Sequence, residues 1–288
     1  MAASPNIALR DFLRSRRARL SPDSAGIESS PGTRRVAGLR REEVARLAGV
    51  SVDYYIRLER GRTASVSASV LDAVARALQL GELERDHLFA LAHPARTCPA
   101  RSSGQQVRPG LQLVLDSLTE VPALVLGRGL DVLAANPLAR ALYVDFDSLP
   151  PRSRNMARLV FLDPTVRELY TDWPGAARGI VASLHLEAGR HPQDPDLAAL
   201  VGELSLQDPD FRRWWADHDV YRRTHGRKRY RHGLVGELEL GYEAFSPADD
   251  PDKTLGISTV EPGSVSEQRL RLLAGWAHPL AVNPHAEP

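Results

Sequence analysis

Apolar side chains recur at helical spacing through the amino-terminal third of the chain. Leu9, Phe12 and Leu13 fall on one face of a first predicted helix, which ends near Leu20. The same period predicts four more short helices, over residues 39–47, 51–60, 66–78 and 83–91. Gly49 and Gly61 interrupt this helical pattern, and no alternating strand pattern occurs between the helices. We therefore expect an all-α domain.

The period changes in the rest of the chain. One helix is predicted over residues 111–118, and two apolar runs, 123–126 and 130–134, flank a Gly-Arg-Gly turn that is typical of a hairpin. Residues 136–221 are mostly helical in pattern. Alternation then predicts strands over 228–234, 236–245 and 255–260, and Leu270, Leu272 and Leu273 mark a closing helix. Strands at both ends with helices between them predict an α+β domain built on an antiparallel sheet.

Length and composition agree with two domains. The 288 residues are 43% hydrophobic, which is enough for two cores. Residues 95–109 contain Pro, Ser and Gly without a hydrophobic period, so we predict a linker there, between a domain over 1–94 and a second over 110–278. No apolar run is long enough to cross a bilayer and no export signal opens the chain, so we expect a cytoplasmic protein that binds no membrane.

Residues 39–62, LRREEVARLAGVSVDYYIRLERGR, have the spacing of two short crossed helices. Gly49 supplies the turn, and Val44, Ala45, Leu47, Ala48, Val50, Tyr55 and Leu58 are the positions predicted to be buried. A second helix of this kind fits the major groove of B-DNA, where base edges can be read. The residues that we expect to face the bases are Ser51, Val52, Asp53, Tyr54 and Arg57.

Charge is divided unevenly along the chain, although the net charge is only +1. Residues 1–96 carry 16 Arg and 11 acids, a balance of +5, and the remainder carries 21 Arg and Lys with 25 acids, a balance of −4. This asymmetry favours a polyanionic partner for the first domain. Arg40, Arg41 and Arg62 flank the two helices and are predicted to contact DNA phosphates. The alternative is a small helical bundle without a nucleic-acid role. Such a bundle does not require Gly49, the exposed polar residues of the second helix and these arginines together.

Through the two crossed helices and their flanking arginines, the segment 7–92 resembles the Cro and phage-repressor class of helix-turn-helix proteins, the Xre family. The resemblance implies a lambda-repressor-like fold and an ion pair between the positions of Arg17 and Glu59. The segment 21–38 departs from the family by its length, and its function is left open. Within it, Arg34 and Arg35 either contact phosphates or are simply solvated.

Four later stretches resemble the ligand-binding domain of MmyB-like transcription regulators: VPALVLGRGLDVLAANPLARAL, NMARLVFLDPTVRELYTDW, FRRWWADHDV and HGLVGELELGYEAF. Gly233 departs from the Pro that relatives commonly have after the His. The resemblance implies a PAS-like fold with a pocket for a small apolar molecule such as a fatty acid. Candidate lining residues are Leu126, Leu133, Asn136, Phe161, Trp173, Trp214 and Tyr242, and Arg158 or His232 could meet a carboxylate.

Each of these ligand-site residues also has a structural explanation. Tryptophans at this spacing are more often core residues, Asn136 precedes a proline as helix caps do, and Arg158 can pair with a nearby acid. His218, His225 and His232 share one face only if a single helix continues through Gly226, so no metal site is predicted. The one cysteine, Cys98, excludes an internal disulfide framework, and no catalytic constellation or cofactor motif was found.

The leading hypothesis is a homodimeric transcription regulator that binds a double-stranded DNA operator and is controlled by an apolar effector. A second hypothesis makes the carboxy-terminal domain a dimerisation or protein-interaction module without an effector. A third, an enzyme that carries a DNA-binding domain, would need a polar cleft with clustered ionisable groups, which the sequence does not indicate.

Overall fold

The computed structural model describes residues 6–27, 38–63, 65–93, 105–217 and 225–277. Arg34, Arg35, Cys98, His218 and most of the predicted linker lie outside the described residues. Internal contacts divide the described chain into two compact units. The first, which we call the helical unit, comprises the residues up to His93 with 185–194 and 213–217. The second, the sheet unit, comprises 105–184, 195–212 and 225–277.

The helical unit begins with five helices that enclose one apolar core. They are α1 (Ile7–Arg19), α2 (Arg41–Ala48), α3 (Val52–Glu59), α4 (Ala68–Ala77) and α5 (Glu82–Ala92). Phe12, Leu13, Val44, Tyr55 and Leu58 are among the core residues with no exposed surface. The predicted helices are therefore confirmed, with ends that shift by one or two residues.

Caps explain where several of these helices begin. The side chains of Asn6, Ser51 and Ser67 accept hydrogen bonds from the backbone N–H groups of Leu9, Tyr54 and Val70. Gly61 ends the turn after α3 with φ of 65°, and a Cβ there would lie 2.2 Å from the carbonyl oxygen of Asn6. No larger residue fits this position without moving the start of α1.

Two residues of the predicted helix-turn-helix core are less buried than expected. Leu47 was predicted to be buried, and this prediction is wrong because its side chain is 41% exposed. Val50, beside the turn, is partly buried. The period of α2 places Val44, Ala45 and Ala48 against the core, and Leu47 falls outside that stripe.

The sheet unit contains five antiparallel strands. They are β1 (Ala123–Leu126), β2 (Val132–Ala135), β3 (His225–His232), β4 (Gly236–Phe245) and β5 (Thr254–Thr259), in the order β2-β1-β5-β4-β3. The predicted hairpin is confirmed, since β1 pairs with β2 across the turn at residues 127–131. β3 begins at His225 and ends at His232, so the strand predicted to reach Leu234 ends two residues before it.

The remaining helices lie before, between and after these strands. They are α6 (Pro109–Ser117), α7 (Pro137–Leu142), α8 (Met156–Leu162), α9 (Pro164–Leu169), α10 (Trp173–Arg190), α11 (Pro195–Gln207), α12 (Pro209–Ala216) and α13 (Val265–Ala277). Five of them start at a proline, which suits a first helical turn because a backbone N–H would be unpaired there. The described part of the chain contains no helix that is both long and apolar enough to cross a membrane.

Candidate DNA-reading and ligand-binding sites

The turn between α2 and α3 has the geometry that a helix-turn-helix needs. Gly49 adopts a left-handed conformation with φ of 66°, and the next N–H, that of Val50, donates to the carbonyl of Ala45. The Oγ of Ser51 then accepts from the N–H of Tyr54 at 3.2 Å. Ser51 is therefore the N-cap of α3, and this structural task holds whatever its part in base contacts.

Four predicted base-reading residues follow on α3. Val52, Asp53 and Arg57 are exposed, and Tyr54 is partly buried. The guanidinium of Arg57 lies 6.0 Å from the centre of the Tyr54 ring, near enough for a weak cation–π contact. One face of α3 therefore offers a methyl-bearing, an acidic and a basic side chain, while the opposite face buries Tyr55 and Leu58.

Glu59 holds the end of α3 on the buried side of this helix. Its side chain is 2% exposed, and one carboxylate oxygen accepts from Nε of Arg17 on α1 at 2.5 Å. The other accepts from Nε of Arg41, the first residue of α2. The predicted pair of Arg17 and Glu59 is confirmed, and Arg41 is an addition that the sequence analysis missed. One buried carboxylate thus joins α1, α2 and α3.

This arrangement changes the interpretation of the flanking arginines. Arg41 is 44% exposed, but its Nε is held by Glu59, so it has a structural contact as well as any phosphate contact. Arg40 and Arg62 are exposed at the ends of the two helices. The backbone N–H of Arg40 donates to Glu43, which caps α2 and leaves the Arg40 side chain directed to the surface.

In the sheet unit, two of the candidate ligand residues lie together. Phe161 and Trp173 meet edge to face with ring centres 5.8 Å apart, and Phe161 meets Phe211 in the same way at 5.0 Å. The indole N–H of Trp173 donates to the carbonyl of Val160 at 2.8 Å, and the guanidinium of Arg167 lies 3.4 Å from its ring centre. These three rings, which we call the aromatic cluster, form a packed apolar region.

The polar candidates are all engaged within the protein. Asn136 caps α7 by accepting from Ala139, accepts from Ala123, and donates to the carbonyls of Leu118 and Val121. This supports the helix-cap alternative for Asn136.

The two candidates for a carboxylate partner are engaged as well. Arg158 donates to Glu203 at 2.8 Å and to the carbonyl of Arg152 at 3.1 Å. This contact with Arg158 lowers the pKa of Glu203. Nε2 of His232 lies 3.0 Å from the carbonyl oxygen of Ala141. These contacts favour structural tasks for both side chains.

The other candidates are dispersed. Leu126 and Leu133 are partly buried on the hairpin, and Leu133 packs against the core of α6 and β1. Tyr242 is partly buried on β4, with the amino group of Lys228 at 4.6 Å from its ring centre. Trp214 is buried, but its contacts assign it to the helical unit. The structure therefore does not bring all the candidate ligand residues together.

A set of hydroxyl groups in the sheet unit was missed by the sequence analysis. Tyr143 follows α7, Tyr170 follows α9, Tyr230 lies in β3 and Ser258 in β5. The hydroxyls of Tyr143 and Tyr230 are 3.0 Å apart, and those of Tyr170 and Ser258 also face that of Tyr143. We call these four residues the hydroxyl cluster. The signal available in the sequence was that Tyr170 lies within one of the family-like stretches, NMARLVFLDPTVRELYTDW, and that Tyr143 directly follows another.

The structure describes two of the three histidines that the sequence analysis considered as metal ligands. Within the described residues, no group of three or more His, Cys, Asp or Glu side chains is arranged to hold a metal ion. His225 and His232 lie at opposite ends of β3, and His218 lies outside the described residues.

Comparison with known protein families adds two matches. The family model described as the MmyB-like transcription regulator ligand binding domain matches residues 107–273, which is more than half of the chain. A helix-turn-helix domain model matches residues 8–88, which include α2, the turn and α3. A search of curated proteins found no significant match.

Proposed function

This chain belongs to the family that carries the MmyB-like transcription regulator ligand-binding domain, behind a helix-turn-helix domain, and we propose that it is a homodimeric regulator of transcription. It binds a palindromic DNA operator through α3 and responds to a small apolar effector, such as a fatty acid, in a PAS-like carboxy-terminal domain. Two-fold symmetry places the recognition helices about 34 Å apart, one turn of B-DNA.

One observation supports DNA reading above all. α3 exposes Val52, Asp53 and Arg57 at its surface while Glu59, on the opposite side, is tied to two neighbouring helices. A helix that reads base edges must keep a fixed orientation, because a bidentate contact tolerates little displacement. In this role Arg57 contacts a guanine, Asp53 accepts from a cytosine amino group and Val52 contacts a thymine methyl. Arg40, Arg41 and Arg62 contact phosphates.

The decisive experiment selects bound fragments from random duplex DNA and then titrates variants on the best operator. We expect Arg57→Ala to weaken operator binding by about 1–3 kcal/mol and to relax discrimination at one base pair. Arg62→Ala is a cleaner phosphate test than Arg41→Ala, since Arg41 also holds Glu59. Arg62→Ala should weaken binding to all duplexes alike, and it should reduce the slope of log affinity against log salt concentration by about one unit.

Arg76→Ala is the matched control, because Arg76 is an exposed arginine on α4 that has no assigned DNA contact. Equal operator affinity of Arg57→Ala and Arg76→Ala would show that the docking face is wrong. If the protein prefers no duplex over scrambled competitor at physiological salt, the proposal of sequence-specific binding fails.

The second candidate, a carboxy-terminal domain without an effector, has one observation in its favour: Asn136, Arg158 and His232 all have partners within the protein. Mass spectrometry of gently purified protein separates the two candidates. A stoichiometric co-purified lipid supports the sensor, and a lipid-free protein that binds no added fatty acid supports the interaction module.

A further inference from the structure

The hydroxyl cluster lies where four separate elements of the sheet unit meet. Tyr230 is 1% exposed, and Tyr170 and Ser258 are also buried. The ring of Tyr230 lies 5.2 Å from that of Tyr170 and 6.0 Å from that of Tyr143. Tyr143 is only partly buried, so this member connects the cluster with the surface.

The hydroxyl cluster consists of uncharged hydrogen-bond donors in an apolar part of the protein. Burial raises the pKa of Tyr143, Tyr170 and Tyr230, so all three phenols keep their protons at neutral pH. A hydroxyl has one proton to donate, so the bond between Tyr143 and Tyr230 uses one of their two protons. The hydroxyls of Tyr170 and Ser258 also lie within hydrogen-bonding reach of that of Tyr143. These three contacts use three of the four hydroxyl protons, so one proton is left for another acceptor.

Resting on the function proposed above, we infer that the hydroxyl cluster binds the polar head group of the effector and that this head group is a carboxylate. Two carboxylate oxygens can accept from several O–H donors at once. Arg158 and His232 are less suitable, because Glu203 and the carbonyl of Ala141 already occupy them.

A cation near the cluster would offset the charge of a buried carboxylate. Lys228 lies two residues before Tyr230 in β3, so both side chains point to the same face of the strand. Its amino group lies over the ring of Tyr242 on β4. This side of the sheet therefore combines neutral donors with one ammonium group.

The aromatic cluster is close in sequence to the hydroxyl cluster, and it is suited to contact the apolar tail of the effector. Trp173 of the aromatic cluster follows Tyr170 by three residues. Phe161 packs against Trp173, and Phe211 packs against Phe161. The ligand chemistry that this combination selects is a long hydrocarbon chain with one carboxylate end.

The test compares palmitate with its methyl ester as probes for the delipidated full-length protein, by calorimetric titration. In Tyr230→Phe, we expect palmitate to bind roughly tenfold more weakly, because a charged acceptor loses a donor. The ester should lose no more than about twofold, since it is a weaker, uncharged acceptor. Tyr143→Phe should have the same signature, and Ser117→Ala, which removes a hydroxyl from the exposed end of α6, should change neither affinity.

Each outcome has a definite consequence. Wild-type affinity for palmitate in both tyrosine variants, with folding verified by circular dichroism, overturns the inference and leaves the effector proposal standing. An equal loss for palmitate and ester also overturns it, because a merely structural cluster would affect both probes alike. If the wild-type protein binds neither probe, the inference and the fatty-acid effector fail together, while operator binding is decided separately by the DNA titration.

Discussion

The helical unit and the sheet unit bury their polar side chains in different chemical forms. In the helical unit, the buried polar residues include two charged ones, Arg16, which pairs with Glu84, and Glu59, which binds Arg17 and Arg41, beside His87, His185 and Tyr55. In the sheet unit most are neutral: Asn136, Asn155, Tyr170, Tyr230 and Ser258. Among the described residues of this unit, Asp208, which pairs with Arg167, is the charged exception.

This difference suits the two proposed tasks. Ion pairs have strong directional preferences, and removing one partner leaves a charge stranded, so they hold α3 in one orientation. Neutral amides and hydroxyls cost less to desolvate, so they can lie close to an apolar ligand. A rigid reading surface and a ligand-adaptable interior thus use different polar residues, and each of the following predictions tests that contrast.

The largest effect is expected from Glu59→Ala. This substitution leaves Arg17, which is 13% exposed, without its carboxylate partner and frees Arg41 as well. Breaking a buried ion pair costs about 3–5 kcal/mol of unfolding free energy. Urea unfolding followed by circular dichroism measures this loss.

Glu42→Ala is the control for Glu59→Ala. Glu42 lies on the neighbouring helix α2, but it is exposed and its pair with Arg40 is 3.6 Å long. An exposed pair of this kind contributes about 0–1 kcal/mol. If both variants lose the same stability, the buried carboxylate is not what fixes the three helices, and the contrast between the units loses its basis.

A smaller effect is expected from Asn136→Ala in the sheet unit. The substitution removes the cap of α7 and leaves the carbonyls of Leu118 and Val121 without their amide donor. An N-cap is worth about 1 kcal/mol and each stranded buried group about 1–3 kcal/mol, so we expect a loss of about 3 kcal/mol in unfolding free energy.

Asn136→Asp sharpens this prediction, because it keeps the acceptor for Ala139 and Ala123 but replaces the donor with a second oxygen. The aspartate should be no more stable than the alanine, since its carboxylate faces two carbonyl oxygens. Gln112→Ala, at a hydrogen bond on the surface of α6, should change little. An Asp variant as stable as the wild type would contradict the assigned donor role.

Much of the fold followed from periodicity alone. The five amino-terminal helices, the hairpin turn at Gly127 and Gly129, and the strand over residues 236–245 are local features, set by spacing and turn chemistry. Strand order was not predictable in this way. β5 lies between β1 and β4, a pairing that depends on contacts between residues far apart in sequence.

The candidate sites show the same limit. The exposed face of α3 could be predicted because Ser51, Gly49 and the buried tyrosine fix it locally. The second partner of Glu59 and the hydroxyl cluster could not, because Arg41, Tyr143 and Tyr230 meet their partners only in three dimensions. Leu47 shows that even a local pattern fails where a helix of eight residues has a narrow buried stripe.

The smallest effect concerns alkaline pH, and it separates the units by their number of buried phenols. Burial raises the pKa of Tyr143, Tyr170 and Tyr230 in the sheet unit, and burial with the nearby Glu59 raises that of Tyr55 in the helical unit.

Above the unfolded-state pKa of about 10, the unfolded chain releases these protons while the folded chain keeps them. The stability contributed by the protonated phenols is therefore fully present below pH of about 10 and is lost as the pH rises toward the folded-state pKa values. Urea unfolding at a series of alkaline pH values should show a free energy of unfolding that falls with pH. Tyr230→Phe should make that fall less steep, because unfolding then releases one proton fewer.

Tyr55→Phe should have a similar effect on its own, since it also removes one buried phenol, whereas Tyr143→Phe and Tyr230→Phe combined should reduce the slope further. A slope that is the same in all these variants would mean that the phenols titrate alike in the folded and unfolded chains, which contradicts their burial as the source of neutral donors in the sheet unit.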